Sequence, residues 1–213
     1  MISLTASHLD CVVKEYVLSL TIESLLENDL NHIYVSISLG NYNANYLIEK
    51  YKKYNNVHII VQKEKQVKQF EHFARLVKLI YDKYDKDTPI LFCDDDDLLL
   101  NVPNVKYTRG YQYVPENTCG YDETYKMNQK QIKEICGKFE WSKHIDFSGY
   151  ICPLSDVCEY FSTHKRFGYL EDVIFMEYMD KKIPDNKIEP FVFHRLWGTS
   201  DRPKSFWREQ MGL

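Results

Sequence analysis

Apolar and polar positions along the first hundred residues alternate between two periods. Residues 2–7 (ISLTAS) and 33–39 (IYVSISL) alternate with the period of a strand, and Gly40-Asn41 ends the second run. Residues 57–61 (VHIIV) form a third short β-branched run, and residues 89–93 (PILFC) are almost wholly apolar, which predicts an interior strand. Between these runs the spacing lengthens. Residues 14–28 carry Tyr16, Val17, Leu20, Ile22, Leu25 and Leu26 at helical intervals. Residues 45–54 predict a shorter helix rich in Lys and Tyr. Residues 66–84 predict a long helix with Phe70, Phe73, Val77, Ile80 and Tyr81 on one side. Strand and helix therefore alternate through four strands, the pattern of a parallel sheet covered by helices on both faces.

The second half is more mixed. Strands are expected within 106–114, 145–152 and 190–194. A polar helix is expected from about Tyr125, a short helix over 155–161 with Ser155 as its cap, and another helix over 170–180. No repeat or low-complexity linker interrupts the chain. The expectation is one α/β domain over 1–213, with 1–100 as a nucleotide-binding half and 101–213 as an acceptor half.

Composition narrows the classes. The 213 residues are 44% hydrophobic and 27% charged, enough to bury a core. A net charge of −4 argues against a dedicated nucleic-acid binder. No apolar run reaches membrane-span length, and residues 1–10 lack a basic-then-apolar leader pattern. The six cysteines form no C-x-x-C pair and read as free thiols in a reducing, cytoplasmic compartment. Aromatic residues make up 15% of the chain, a composition suited to stacking on ring-shaped ligands.

Asp94-Asp95-Asp96-Asp97 carries the most chemical information. An acidic run is ordinarily a solvated face. This one is wedged between PILFC and Leu98-Leu99-Leu100, where four like charges repel and a cation would neutralise them. Carboxylate oxygens are hard ligands suited to Mg²⁺ or Mn²⁺, and the carboxyl end of an interior strand is where open α/β sheets bind ligands. An EF-hand would need Gly at Leu99 and Glu at Val105. There is no P-loop string, and Thr5-Ala6-Ser7-His8 stands where a dinucleotide fold, or a sugar nucleotidyltransferase, would have a Gly-rich loop.

The strand-ending acids resemble the D-x-D motif of GT-A glycosyltransferases, which use nucleotide-sugars. The resemblance implies that Asp94 faces the ribose, that Asp96 holds a divalent ion on the diphosphate, and that Asp95 lies close by. The frame Asp95-x-Asp97 also fits. Leu170-Glu171-Asp172-Val173 resembles the acceptor-side E-D motif, although acids in a first helical turn also suit the helix dipole. Phe193-His194-Arg195-Leu196-Trp197-Gly198, with Pro203-Lys204 and Trp207, resembles the H-x-x-G-x-x-K-P-W signature of glycogenin-like retaining enzymes, with one residue too many before the Gly and with Pro ahead of Lys. On that resemblance a neutral His194 completes the metal site with Asp94 and Asp96, and Lys204 touches the diphosphate. Thr5, Ala6 and Ser7 meet the uridine, and Lys68 reaches the phosphates or the base unless it is simply solvated.

Asp172 or Glu171 would bind the acceptor hydroxyl and, in an inverting enzyme, act as general base. The chain also resembles the glycosyltransferase domains of large chlorella viruses, which implies a UDP-sugar donor, Mn²⁺ and hexose transfer to a glycan or glycoprotein of the capsid, with retention favoured. Two other classes stay open: metal-dependent nucleotidyl or phosphoryl transfer, and sugar-nucleotide binding without turnover.

Overall fold

The computed structural model describes residues 1–114, 126–135, 140–143, 146–165 and 170–194. The first half follows the expected alternation: β1 (Ile2–Leu9), α1 (Val12–Leu26), β2 (His32–Leu39), α2 (Asn45–Tyr51), β3 (Val57–Val61), α3 (Gln69–Ile80) and β4 (Pro89–Phe92). α1 is displaced two residues toward the N-terminus of its periodic run, and α2 and α3 are shorter than theirs, with turns at 52–53 and 81–83. After β4 come β5 (Leu98–Leu99), β6 (Tyr111–Val114), α4 (Gln129–Ile135), β7 (Glu140–Lys143), β8 (Ile151–Pro153), α5 (Leu154–Thr163), α6 (Glu171–Met179) and β9 (Val192–Phe193).

Two sheets result. The larger has the order β3-β2-β1-β4-β8, parallel except for β8, and the smaller has the order β5-β9-β6-β7. Alternation divides the larger sheet's faces. Ile2, Leu4, Ala6 and Tyr34 pack with residues of α3, α5 and α6, while Leu9, Ile33, Val35 and Ile37 pack with residues of α1 and α2.

Several sequence expectations shift here. Only 111–114 of the 106–114 run pairs as a strand, and β8 occupies just the end of 145–152, carrying Pro153 at the sheet edge. Ser155 does not cap α5: the helix begins at Leu154, and Pro153, with extended backbone, is the residue before it. The Leu98-Leu99 run, which carried no strand signature of its own, pairs with β9.

An aromatic cluster fixes what lies above it. Phe70, Phe73, Phe92, Phe147 and Phe175 meet mostly edge-to-face, with centroids 4.8–5.7 Å apart between Phe92 and Phe175, Phe73 and Phe92, Phe70 and Phe147, and Phe70 and Phe73. Phe92 is two residues before Asp94, Phe70 follows Gln69, and Phe147 lies between Asp146 and Ser148. One rigid cluster thus aligns three segments that carry polar groups. Truncating Phe92 would cost about 3–5 kcal/mol and loosen all three.

Candidate functional site

The chain leaves the larger sheet at the end of β4 and enters the smaller one at β5, and the four aspartates are the crossing. The β5–β9 pairing is antiparallel, with Leu98 opposite Phe193 and Leu99 opposite Val192. Continued by one residue, that register sets Asp97 opposite His194. The His194 backbone N–H donates to Tyr113 O at 2.9 Å, which anchors the end of β9 on β6.

The carboxylates sort into two groups, each with ligand atoms within 4.8 Å of one another: Asp94, Asp95 and Asp96 in one, Asp97, Asp146 and His194 in the other. In the first, Asp94 accepts from Gln69 Nε2 at 2.6 Å and from the Asp95 N–H at 2.8 Å, and its own N–H donates to Ser148 Oγ at 3.2 Å. Asp95 accepts from the Ser7 hydroxyl. Burial first, then the charges of Asp96, Asp95, Asp97 and Asp146, hold the Asp94 carboxyl well above the usual carboxylate range. Asp95 is also raised by burial, against the Ser7 hydrogen bond and the Lys14 charge. Crowded hard oxygens whose ionisation is opposed by one another suit a divalent cation, so the donor chemistry of this group fits a metal such as Mg²⁺ or Mn²⁺.

The second group carries its own cation. His194 Nδ1 is 3.0 Å from Asp97 Oδ1 and 3.0 Å from Asp146 Oδ2. Burial works to lower the imidazole pKa, but the Asp97 and Asp146 charges and the Asp97 hydrogen bond outweigh it and push it up to about 10. Without a metal, the two carboxylates therefore favour the protonated form of His194; the same three side chains are also a ligand set for a divalent ion, in which the ring would be the neutral ligand expected from the sequence. Asp146 is held further by Gln112 Nε2 and by the Ser148 N–H, each at 2.7 Å from Oδ1. The turn that presents it needs Gly149, at φ +84°, and Gly110, where a Cβ would lie 2.5 Å from Ser148 O.

A cavity of about 240 Å³ opens beside the first group, lined by Ala6, Ser7, His8, Lys14, Val67, Gln69, His72 and Asp94 to Asp96. Of the residues expected to meet the donor, Ala6, Ser7, Asp94, Asp95 and Asp96 face it. Thr5 does not line it: its side chain points to the other face of β1, fully buried, with Oγ1 lacking a hydrogen-bond partner. Lys68 is exposed, between the lining residues Val67 and Gln69. Glu171 and Asp172 open α6 beside the Tyr160 hydroxyl, whose pKa they raise after burial does. Leu170 precedes them in the left-handed region, at φ 72°. Lys204, Arg195 and the rest of the H-x-x-G-like signature after His194 lie outside the described residues, as do Cys119 and Cys136; the four described cysteines are free thiols.

Sequence reasoning missed Asp146, Asp97 as the partner of His194, and Lys14. Lys14 sits in the first turn of α1, 3.4 Å from Asp10 four residues earlier, with its side chain only 9% exposed. That i, i+4 pairing was the available signal. Asp146 had none, since only the fold brings it to residue 97.

No family model matches the sequence, and no curated protein matches it. Solved structures do. S. aureus TarS residues 1–349, in complex with UDP-GlcNAc, superposes with a TM-score of 0.57 at 13% identity, covering 95% of this chain and 61% of that one. The 4-diphosphocytidyl-2C-methyl-D-erythritol synthase structure gives 0.51 at 9% identity, covering 99% and 96%. The chain thus spans 61% of the TarS structure it matches. These likenesses show the fold: a mixed α/β, GT-A-like architecture with a mostly parallel central sheet flanked by helices. Among the described residues, no helix is long and apolar enough to cross a membrane.

Proposed function

We propose that the chain is a metal-dependent glycosyltransferase that takes a UDP-sugar as donor. The observation that carries this reading is the cavity at the carboxyl ends of β1 and β4, where the Asp94–Asp96 group, the Ser7 hydroxyl and the buried Lys14 ammonium converge. The UDP-GlcNAc held by TarS on the same fold supports the donor class. Asp94, Asp95 and Asp96 would hold the ion, with Mn²⁺ as the proposed metal. When bound, it supplies Lewis-acid stabilisation of charge developing on the diphosphate. Lys14 adds a fixed positive charge on the same side, in a site shielded enough for that charge to count. Lys68 and Lys204 remain proposed phosphate contacts.

Asp172, with Glu171, is the proposed acceptor-side acid, so residues 1–100 serve the donor and the remainder the acceptor. Transfer of a hexose with retention, to a viral capsid glycan, is the finer proposal. It rests on the sequence resemblance alone.

The fold shared with the 4-diphosphocytidyl-2C-methyl-D-erythritol synthase supports a second reading, nucleotidyl transfer. Product identity separates the two. Incubation with UDP-, GDP- and dTDP-sugars and Mn²⁺ should release nucleoside diphosphate from the UDP-sugar; pyrophosphate release from a nucleoside triphosphate would replace the first reading with the second. Asp172→Asn should leave donor affinity unchanged while lowering transfer about 100-fold or more. An equal fall in donor affinity would move Asp172 to the donor side.

A further inference from the structure

The larger sheet ends in an open edge. β3 is the outermost strand of the order β3-β2-β1-β4-β8, and among the described residues it pairs with β2 alone. The Ile33 N–H donates to Asn56 O and the Gln62 N–H to Ile37 O, both at 2.8 Å, which fixes the phase of that parallel ladder. A strand bonds one neighbour through alternate residues, so His58 and Ile60 turn their backbone groups to β2. Ile59 and Val61 turn theirs outward, as does the Val57 carbonyl; the Val57 N–H is used locally on Tyr54 O at 3.2 Å. Residues 57–61 (VHIIV) are β-branched apart from one His and hold no Pro, Lys or acid, the devices that ordinarily keep an edge from pairing. The strand is also held firmly: His58 stacks on Tyr34 with centroids 4.4 Å apart, and its Nε2 is 3.1 Å from His32 Nδ1.

A groove of about 480 Å³ follows this edge and shares no lining residue with the donor cavity. Ile48 and Tyr51 of α2 line it from one face of the sheet, and Tyr34 and Leu79 from the other. Leu79 and Val61 are 41% and 43% exposed, so apolar surface is left on both sides of the strand. The chain around it is basic. Residues 50–68 hold Lys50, Lys52, Lys53, Lys63, Lys65 and Lys68 against Glu64 alone, in a protein whose net charge is −4. Glu64 is taken by the Arg75 guanidinium, at 2.7 and 2.8 Å, while Lys52 and Lys83 line the groove itself. The charge argues against a second copy as the occupant. Two β3 strands paired antiparallel about Ile59 would bring Lys53 of each toward Lys65 of the other, where like charges repel. It favours an acidic one. A polyanion held by charge alone would leave the outward backbone groups and the apolar walls unmatched, whereas an extended polypeptide matches all three features.

We propose that the β3 edge docks an extended acidic segment of another protein as an added strand. Its backbone bonds the outward N–H and C=O groups of Ile59 and Val61. Its apolar side chains, alternating to the two faces, pack toward Ile48 on one side and Leu79 on the other, and its carboxylates meet the lysines that flank β3. The backbone bonds supply affinity, and the charges select the partner and speed its arrival. A contact of one short strand belongs to the small, transient class of interfaces. The proposal stands apart from the reading of the donor cavity and holds whichever reaction that cavity serves.

The test is fluorescence anisotropy with a short labelled peptide that has a centre of alternating Val and Thr and Glu at both ends. Its controls are the same peptide with Lys for Glu and the same peptide with its centre N-methylated, which removes the strand-forming N–H groups. The parent peptide should bind the wild-type protein, and each control should bind at least about tenfold more weakly. Lys63→Glu combined with Lys83→Glu should weaken the parent peptide about tenfold, the effect of reversing charges near the groove. Amide hydrogen exchange should show the Ile59 and Val61 N–H groups slowed by the peptide, while those of His58 and Ile60, already bonded to β2, change little. The peptide controls and the exchange use the unaltered protein, so they decide even if the double variant does not fold. No binding of the parent peptide overturns the proposal. Equal binding of the N-methylated peptide overturns it in favour of a site for polyanions in general. A dimer in sedimentation that slows the Ile59 and Val61 amides without any peptide overturns it in favour of a second copy.

Discussion

Two carboxylate groups sit side by side where the chain passes between its sheets, and they are built in opposite ways. Asp94, Asp95 and Asp96 face a cavity and are held mainly by neutral donors: Gln69, Ser7 and a backbone N–H. Asp97 and Asp146 are closed around a histidine whose protonated form they favour. The first group, with the Lys14 ammonium near Asp95, lines the cavity, and its crowded oxygens suit a cation entering from outside. The second sets one imidazole against two carboxylates where the β4–β5 crossing meets the end of β9, and the same three side chains are a ligand set for a divalent ion. Four consecutive identical residues thus divide into two groups, for the first of which binding is proposed, and the division is set by what the fold brings opposite each.

The largest effect should come from breaking the closed group. His194 Nδ1 is paired at 3.0 Å with the buried Asp97 and with Asp146, so His194→Ala breaks a buried pair and should lower stability by about 3–5 kcal/mol. Urea unfolding of chelator-treated protein measures this. A loss under about 1 kcal/mol would mean that the two groups are alike, with His194 free to serve as a ligand to the cavity's metal.

The open group should respond in the reverse sense. Asp96→Asn should weaken Mn²⁺-dependent UDP-sugar binding about 100-fold or more, at or beyond the upper end of what outer-shell changes cost. The melting temperature should hold or rise, because one crowded like charge is gone. Unchanged donor affinity in calorimetry would remove the metal site from this cavity.

The sequence made the open group legible and hid the closed one. Residues 89–93 announced an interior strand, and an acidic run at its carboxyl end is a local signal, so β4 and the first three aspartates could be found together. His194 could be flagged from its own neighbourhood, but its partners could not. Asp97 reaches it through a two-residue strand pairing, and Asp146 through a turn shaped by Gly110 and Gly149, contacts 97 and 48 residues apart in sequence. For the same reason the alternation of β1 and β2 could be read directly, whereas the polarity of Ser36, Ser38 and His72 acquires meaning only once α3 covers that face.

A smaller, graded effect separates the histidines. In the folded, metal-free protein His194 is raised from 6.5 to about 10, so its stabilisation is complete below about pH 6.5 and is lost as pH rises toward 10. His72 is lowered from 6.5 to about 4, so its contribution is present above 6.5 and is lost as pH falls toward 4, where the unfolded chain takes up a proton that the folded one refuses. Stability against pH should therefore fall on both sides. Relative to wild type, His194→Ala should flatten the alkaline limb and His72→Gln the acid limb. An alkaline limb unchanged in His194→Ala would show that His194 is not the imidazolium of the closed group.

The smallest effect tests how separate the two groups are, because one residue touches both. Ser148 donates its N–H to Asp146 Oδ1 at 2.7 Å, accepts the Asp94 N–H on Oγ at 3.2 Å, and gives its carbonyl to Gln112 Nε2 at 2.7 Å. Ser148→Ala keeps both backbone bonds and removes only the hydroxyl, leaving the Asp94 N–H without that acceptor. The expected loss of stability is about 1 kcal/mol, that of one neutral hydrogen bond. Asp94 is still held by Gln69 and by the Asp95 N–H, so Mn²⁺-dependent donor affinity should fall by no more than about threefold, a change of roughly 0.6 kcal/mol. Combining Ser148→Ala with His194→Ala gives the coupling directly. Additive losses within about 0.5 kcal/mol would mean that the open and closed groups act independently across the shared serine. A coupling above about 1 kcal/mol, with a matching fall in metal affinity, would mean that closing Asp97 and Asp146 on His194 is what sets the geometry of Asp94.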